Sequence, residues 1–464
     1  MPDQVNQLSI KNKEALIDNA ETELTAKARK VLLEALEAAL NAANPKAIME
    51  KQLCLKGDVL EICGNQTNLK KFNHIFVVGG GKASGNMAEA LEDILGNRIS
   101  KGTINVPYGT TAHTQRIELH EAGHPTPDEA GVTGVKKILN LAQSADRNDL
   151  VICLISGGGS SLMPSPRKGI TLAEKREVNS LLLLSGATIN EVNAVRKHIS
   201  DFKGGWLAKH ASPATVINLI LSDVVGDPID SIASGPTVPD TTSFEDAVEI
   251  LRRYDLWQTI PDSVRQLLRD GENGLIEETP KQEDPAFRRV TNHILGNNRT
   301  ATAAAHRKLN SSGVNSLLLT TFLEGEARQV GRVFASFARE IEASGNPKPR
   351  PCSLVVGGET TVMVVGDGNG GRNQEIALSA AMAISGKDGV AIGSMSTDGV
   401  DGPTTVAGAL ADGSTLTRSL KQGLDARTAL ANNDSNSFFS KLGDLIVTGP
   451  TGTNVNDISI IVVM

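Results

Sequence analysis

Ile75-Phe76-Val77-Val78-Gly79-Gly80-Gly81-Lys82-Ala83-Ser84 and Val151-Ile152-Cys153-Leu154-Ile155-Ser156-Gly157-Gly158-Gly159-Ser160-Ser161 obey one rule: a short apolar run rich in β-branched residues ends in three consecutive glycines. Runs of this length bounded by glycine predict buried strands, and Met87, Leu91 and Ile94 beyond the first loop carry helical spacing. Thr215–Leu221 is a third such apolar run, closed by the polar turn Ser222-Asp223 in place of the glycines. Strands that alternate with helices predict a mostly parallel sheet with helices on both faces, an α/β domain of Rossmann-like type.

Reading outward, Asn12–Ala43 is rich in Ala, Leu, Glu and Lys with apolar positions at helical spacing, so one leading helix is expected, ended by Asn44-Pro45. On the other side, Asp262–Phe287 turns charged and proline-bearing and is read as a connector. A second α/β series is expected to begin at His293–Leu295. It continues through Val314–Leu319, Ser353–Val356, an antiparallel partner at Thr360–Val365, Val390–Gly393, and a terminal hairpin of Leu445–Val447 with Ile458–Val463. This predicts a C-terminal α/β domain with a mixed sheet. A chain of 464 residues exceeds what one core supports, so the expected division is 1–260, a connector 261–288, and 289–464.

The formal net charge is −7 with no basic block, which gives nucleic acid or an anionic membrane no electrostatic footprint. Met1 to Ala20 lacks the apolar core of a signal peptide, and no run reaches the roughly 18 apolar residues of a membrane span. A cytoplasmic protein is expected. Cys54, Cys63, Cys153 and Cys352 are scattered without C-x-x-C spacing, which fits a reduced compartment and neither a disulfide framework nor a cysteine zinc site. The 45 glycines against 3% aromatic residues suit a sheet protein with many backbone-lined turns beside a ligand.

In an open parallel sheet the ligand crevice lies beyond the carboxyl ends of the strands, so the residues just after each strand are the candidates. Ser156, Gly157, Gly158, Gly159, Ser160 and Ser161 can turn backbone N–H groups and hydroxyls toward a phosphate with no Cβ in the way. Lys82 stands where a helix begins, an unfavourable place for a cation unless an anionic ligand offsets it. Asp223 and Asp227 share a strand-end loop; they can hold Mg²⁺, or one can accept a substrate hydroxyl proton while the other supports it. Arg372 follows the glycine-rich stretch Gly366–Gly371 and can grip a carboxylate or phosphate through its planar fork. Glu359 at another strand turn and Asp398 in Thr397-Asp398-Gly399-Val400-Asp401-Gly402 are supporting candidates.

Several motifs fail on inspection. Gly79-Gly80-Gly81-Lys82-Ala83 is not a P-loop, and Ser84 stands where a dinucleotide fingerprint needs a third glycine or an alanine. His120-Glu121-Ala122-Gly123-His124 matches a zinc-protease pattern, but Gly123 and Pro125 deny it the helix it requires. Ser160 lacks the final glycine of a hydrolase elbow, and the acidic loop at Asp398 lacks a calcium-loop pattern.

Taken in order, the sequence resembles the glycerate 2-kinase family with a C-terminal MOFRL domain. The matching stretches are Val78–Ser84, Gly123-His124-Pro125-Thr126-Pro127, Ile155–Ser161, Asn193-Ala194-Val195-Arg196-Lys197-His198, Leu221–Asp227, Ser234-Gly235-Pro236-Thr237, Gly370–Glu375 and Ser396–Gly402. The resemblance implies transfer of the γ-phosphoryl group of ATP, with Mg²⁺, to D-glycerate, giving 2-phosphoglycerate in a cleft between the two domains. Arg196 enters as a substrate or supporting residue through its motif. A homodimer is compatible with the sequence. Members are also labelled hydroxypyruvate reductases, a rival that the failed dinucleotide fingerprint disfavours.

Overall fold

The structure is a computed structural model that describes residues 7–464; residues 1–6 of the polar N-terminal stretch lie outside the described residues. The chain forms two compact units, Ile48–Leu295 and a discontinuous one made of Met1–Ala47 with Gly296–Met464. The division expected at 260 and 289 is therefore revised at both ends. Asp262–Phe287 is no separate connector: it contains the helix Asp262–Glu272, whose Val264, Leu267 and Leu268 share a core with Phe244 and Leu251 of the helix Phe244–Arg253.

Within Ile48–Leu295, a small antiparallel sheet of β1 (Leu53–Lys56), β2 (Val59–Ile62) and β3 (Asn65–Asn68) precedes the main sheet. The main sheet contains β4 (Ile75–Gly80), β5 (Lys101–Pro107), β6 (Ile117–Ala122), β7 (Leu150–Ser156), β8 (Thr215–Leu221) and β9 (Val290–Gly296), in the order β6-β5-β4-β7-β8-β9. The pairs β4–β5, β4–β7, β5–β6 and β7–β8 are all parallel. The chain grows outward from β4 through β5 to β6, then returns to β7 and grows the other way. This reversal makes the carboxyl ends of β4 and β7 the topological switch point, where such sheets bind ligands. Both triple-glycine loops stand there. β9, which contains His293–Leu295, closes this sheet and does not open the second series. His120 lies on a strand, so the protease pattern has no helix.

In the discontinuous unit the strands are β10 (Asn315–Leu323), β11 (Cys352–Gly358), β12 (Val390–Ser396), β13 (Gly408–Asp412), β14 (Leu445–Ile446) and β15 (Asp457–Val463), ordered β10-β11-β15-β12-β13-β14. Only β10–β11 is parallel among the paired strands, so the sheet is mixed. The expected hairpin of Leu445–Val447 with Ile458–Val463 does not form: β15 is central, between β11 and β12, where all of its residues are buried and both faces are covered. Ile458, Ile460 and Val462 join one core layer while Ile461 and Val463 join the other, as the two-residue period of a strand requires. Thr360–Val365 forms no strand, and Met363, Val364 and Val365 are exposed.

The leading helix is two helices, Lys13–Asp18 and Glu23–Ala42, because the Thr22 hydroxyl accepts from the Thr25 N–H and starts the second one afresh. Pro45 does not simply end it; proline suits a first helical position, and Pro45 opens the helix Pro45–Gln52. Leu32, Ala35, Leu36 and Ala39 of Glu23–Ala42 join Ala391, Met395, Ile458 and Ile460 in the core of the mixed sheet. Gly393 permits that close approach, since a Cβ there would lie 2.7 Å from Leu32 Cδ2. Arg29, fully buried on the same helix, pairs with Asp412 and Asp444. Among the described residues no helix is long and apolar enough to cross a membrane.

Candidate active site

At the switch point the two glycine loops and the loop after β8 lock together. Lys82 N–H donates to Gly157 O at 2.7 Å, and Ala83 N–H donates to the buried Ser156 Oγ at 3.0 Å. Ser84 Oγ lies 3.0 Å from Ser156 Oγ and donates to Leu154 O. So Ser84, which breaks the dinucleotide fingerprint, here ties the end of β4 to the end of β7.

The glycines are close-approach positions. A Cβ on Gly157 would lie 1.9 Å from Asp223 Oδ2, and one on Gly158 would meet the His124 ring at 2.9 Å and Lys82 Cγ at 3.1 Å. Gly158 also has φ +77°, a left-handed value that disfavours other residues. Lys82, Asp223, His124 and the Gly157–Gly158 backbone therefore form one group around half-buried side chains. Adjacent glycines here leave a stretch of backbone without a Cβ, the kind of surface that can receive an anion. Asp227 follows on the same loop with φ 57° and its N–H bonded to Val224 O at 3.0 Å.

Ser160 and Ser161 face a different set. Ser160 Oγ lies 2.9 Å from Ser234 Oγ, which donates to Asn193 Oδ1 at 3.2 Å. Ser161 Oγ donates to Gly158 O. The Arg196 guanidinium donates to Asn179 and Asn193. Ser160, Ser161, Asn179 and Arg196 border a cavity of about 570 Å³ that Lys175, Arg176 and Lys203 also line. Sequence reasoning passed over His124, Asn193 and Ser234 as site residues although each stands in a quoted motif, and it had no hold on Lys175, Arg176 or Lys203.

Arg372, Glu359 and Asp398 belong to the discontinuous unit. Arg372 donates through Nε and Nη2 to the two carboxylate oxygens of buried Asp457, the second at 2.9 Å, and its Nη1 meets Glu359 Oε1 at 2.7 Å. Burial alone would lower its pKa; the charges of Asp457 and Glu359 outweigh that and raise it. Its fork is already filled, which the expectation of an open clamp did not foresee. The preceding loop is pinned, since Val365 and Gly366 N–H donate to Asn433 Oδ1 and Gly368 N–H to Asn432 O. Asp401, fully buried, accepts from the N–H groups of Asn373 and Gln374 and so caps the helix Arg372–Ala383. Asp398 closes its own turn, accepting from Ser396 Oγ and from Val400 N–H.

Residues 31–269 match the family described as a domain of unknown function, DUF4147, and residues 352–457 match the MOFRL family. A glycerate 2-kinase of Pyrococcus horikoshii is 42% identical over 436 residues, spanning 94% of this chain and 97% of its own. A D-glycerate 2-kinase of Thermotoga maritima is 43% identical over 395 residues, 84% and 92% of the two chains. The crystal structure of a glycerate kinase from Thermotoga maritima superposes with a TM-score of 0.83 at 39% identity, covering 94% of this chain and 99% of that one. With this identity over nearly its whole length and the switch-point loops that carry its motifs, the chain belongs to the MOFRL-type glycerate 2-kinase family.

Proposed function

We propose that this protein is an ATP-dependent kinase that phosphorylates D-glycerate at its 2-hydroxyl. The observation that carries the reading is the convergence of Lys82, the Gly157–Gly158 backbone and Asp223 at the sheet's switch point. Phosphoryl transfer asks for positioning and for neutralisation of charge spread over the transferred oxygens, and little else. In this reading the Gly157 and Gly158 N–H groups hold phosphate oxygens, and Lys82 Nζ donates to the transferring group. Asp223 accepts the proton of the attacking hydroxyl, and Asp227 supports its loop. His124, against Gly158, is placed to donate to the same oxygens. Arg372 acts through Asp457 and Glu359, and can reach a substrate anion only by releasing Glu359, the more exposed of its two partners.

Mg²⁺ in such reactions is held by one or two carboxylates together with substrate phosphates. The donor set suits that arrangement: Asp223 and Asp227 place two carboxylates on one strand-end loop. Bound there, Mg²⁺ would neutralise phosphate charge. The free cysteines support a reducing, cytoplasmic setting. A nicotinamide-dependent reductase gains nothing from the structure, since Ser84 is buried and its hydroxyl is committed to β7 where a dinucleotide loop would need glycine or alanine.

The test is ³¹P NMR of the product from purified protein, D-glycerate, ATP and Mg²⁺. A 2-phosphoglycerate resonance rising with ADP is expected. A 3-phosphoglycerate signal would overturn the position of attack, and no phosphorylated product from folded protein would overturn the kinase.

A further inference from the structure

We propose that the cavity beside the switch point is the seat of the nucleotide's di- or triphosphate chain, a step that rests on the kinase reading. Its distinguishing feature is cationic donors with no carboxylate in direct contact: Asp201 acts on Lys175, and Asp128 on Arg176, only from a distance. Lys175 on the helix Leu172–Leu184, Arg196 on the helix Ile189–His198, and Lys203 and Arg176 all line it together with Ser160 and Ser161. None of the four cations forms an ion pair among the described residues. Their partners are neutral: Lys175 Nζ donates to Ile199 O at 2.7 Å, Lys203 Nζ to Ser160 O at 2.9 Å, and Arg196 to two asparagines. The Arg176 Nε is buried with no partner.

Each ammonium therefore has two further N–H donors and the guanidinium groups have more, all in one concave space. Lys175 and Lys203 are buried and Arg176 and Arg196 half-buried; burying a charge without a counter-charge is costly, and four such groups gathered in a chain of net charge −7 call for a ligand that supplies several negative charges. A monocarboxylate such as glycerate brings one; a condensed phosphate chain brings three or four, along a length that suits a cavity of about 570 Å³. The position fits the chemistry as well. Ser160 and Ser161 follow Gly159 directly, so a chain lying here ends against the Gly157–Gly158 backbone, Lys82 and Asp223.

Burial lowers the Lys175 pKa to about 7, with Arg196 and Arg167 adding to the shift and Asp201 opposing it; burial also holds Lys203 well below its ordinary range, with Lys175 and Arg196 contributing. A polyanion in the cavity restores their charge, so binding at pH 8 takes up protons and weakens as the pH rises further.

The experiment is isothermal titration of the full chain with ADP, with inorganic tripolyphosphate and with adenosine, in buffers of different ionisation enthalpy. It is repeated on Lys175→Met and Arg196→Met, alongside the NMR assay. ADP and tripolyphosphate should both bind the wild-type protein with proton uptake, adenosine should bind far more weakly, and each variant should lose about tenfold or more in affinity for both. Lys175→Met should also take up fewer protons, a change that a purely structural role would not produce. In kinetics the KM for ATP should rise in both variants while the KM for D-glycerate stays within about twofold. Unchanged ADP affinity in both folded variants overturns the inference while leaving the kinase intact. Tripolyphosphate binding without ADP binding overturns the nucleotide as its source. If wild-type protein forms no phosphoglycerate yet binds both phosphates in this way, the reaction falls and the polyphosphate seat stands.

Discussion

Replacing Gly157 by alanine separates the role of the loop from that of the fold. The backbone of Gly157 lies outside the left-handed region, so the added methyl brings no dihedral strain. It does bring a collision: the new Cβ would stand 1.9 Å from Asp223 Oδ2 and 2.4 Å from its Cγ, where ordinary contact begins at 3.4 Å. The carboxylate must retreat by about 1.5 Å, and misplacement of a reacting group by 1 Å costs about a hundredfold in rate. Gly157→Ala should therefore lower kcat by about a hundredfold, equivalent to about 2.7 kcal/mol of transition-state stabilisation. Its melting temperature should stay within a few degrees of wild type. The assay is ADP release with D-glycerate as acceptor, run beside Asp223→Asn and the double variant. If the methyl acts only through Asp223, the double variant is no slower than Asp223→Asn, within the roughly 0.5 kcal/mol of ordinary additivity error. A kcat within threefold of wild type, or losses that simply add, would refute the placement of Asp223 at the reaction.

Two further outcomes bear on charges held inside the fold. Lys175 titrates near pH 7 when folded and near 10.5 when free, so between those values the unfolded chain binds a proton that the native state lacks, and stability rises with pH. The slope from this group is about 1.4 kcal/mol per pH unit; urea melts from pH 7 to 10 should show it in the wild type and lose it in Lys175→Met. Arg372→Ala leaves Asp457 buried without its partner and should cost about 3–5 kcal/mol in denaturant unfolding, so a loss of activity in that variant reports stability as well as chemistry. Glu359→Gln removes only the half-exposed arm and should cost under about 1 kcal/mol.

Local pattern carried much of the fold. β4, β7, β8, β11 and β12 were legible because each is a short apolar run closed by glycine or a polar turn, and the parallel character of the first sheet followed from their alternation with helices. What sequence order could not show is which core a segment joins. Glu23–Ala42 reads as an amphipathic helix wherever it packs; only the fit of Leu32 over Gly393 and the burial of Arg29 between Asp412 and Asp444 assign it to the C-terminal sheet. β15 looked like half of a hairpin because the preceding apolar run lies close in sequence, yet a strand buried on both faces has nowhere to sit except the middle of a sheet. β3 was missed for the opposite reason, since Asn65–Asn68 is polar throughout and carries no hydrophobic period, while β1 and β2 are only four residues each, too short for a period to show.

The candidate site divides in the same way. Its phosphate-loop half was readable because glycine and hydroxyl residues after a strand mean close approach whatever the tertiary context, and Lys82 and Asp223 stand on those loops. Its cationic half comes from helices and a turn that converge only in three dimensions. One local signal was nevertheless available. In Leu172–Leu184 the buried face runs Leu172, Lys175, Val178, Leu182, so a lysine holds a position that helical spacing reserves for an apolar side chain. Lys203 stands likewise between buried Phe202 and the pair Gly204-Gly205, whose φ values of +57° and +86° bend the chain so that Trp206 is buried as well. A charge in a core slot is a local contradiction, and contradictions of this kind persist in a folded protein chiefly where function compensates them. By that rule the burial of Lys175 and Lys203 points toward the cavity they line, and toward a ligand of opposite charge.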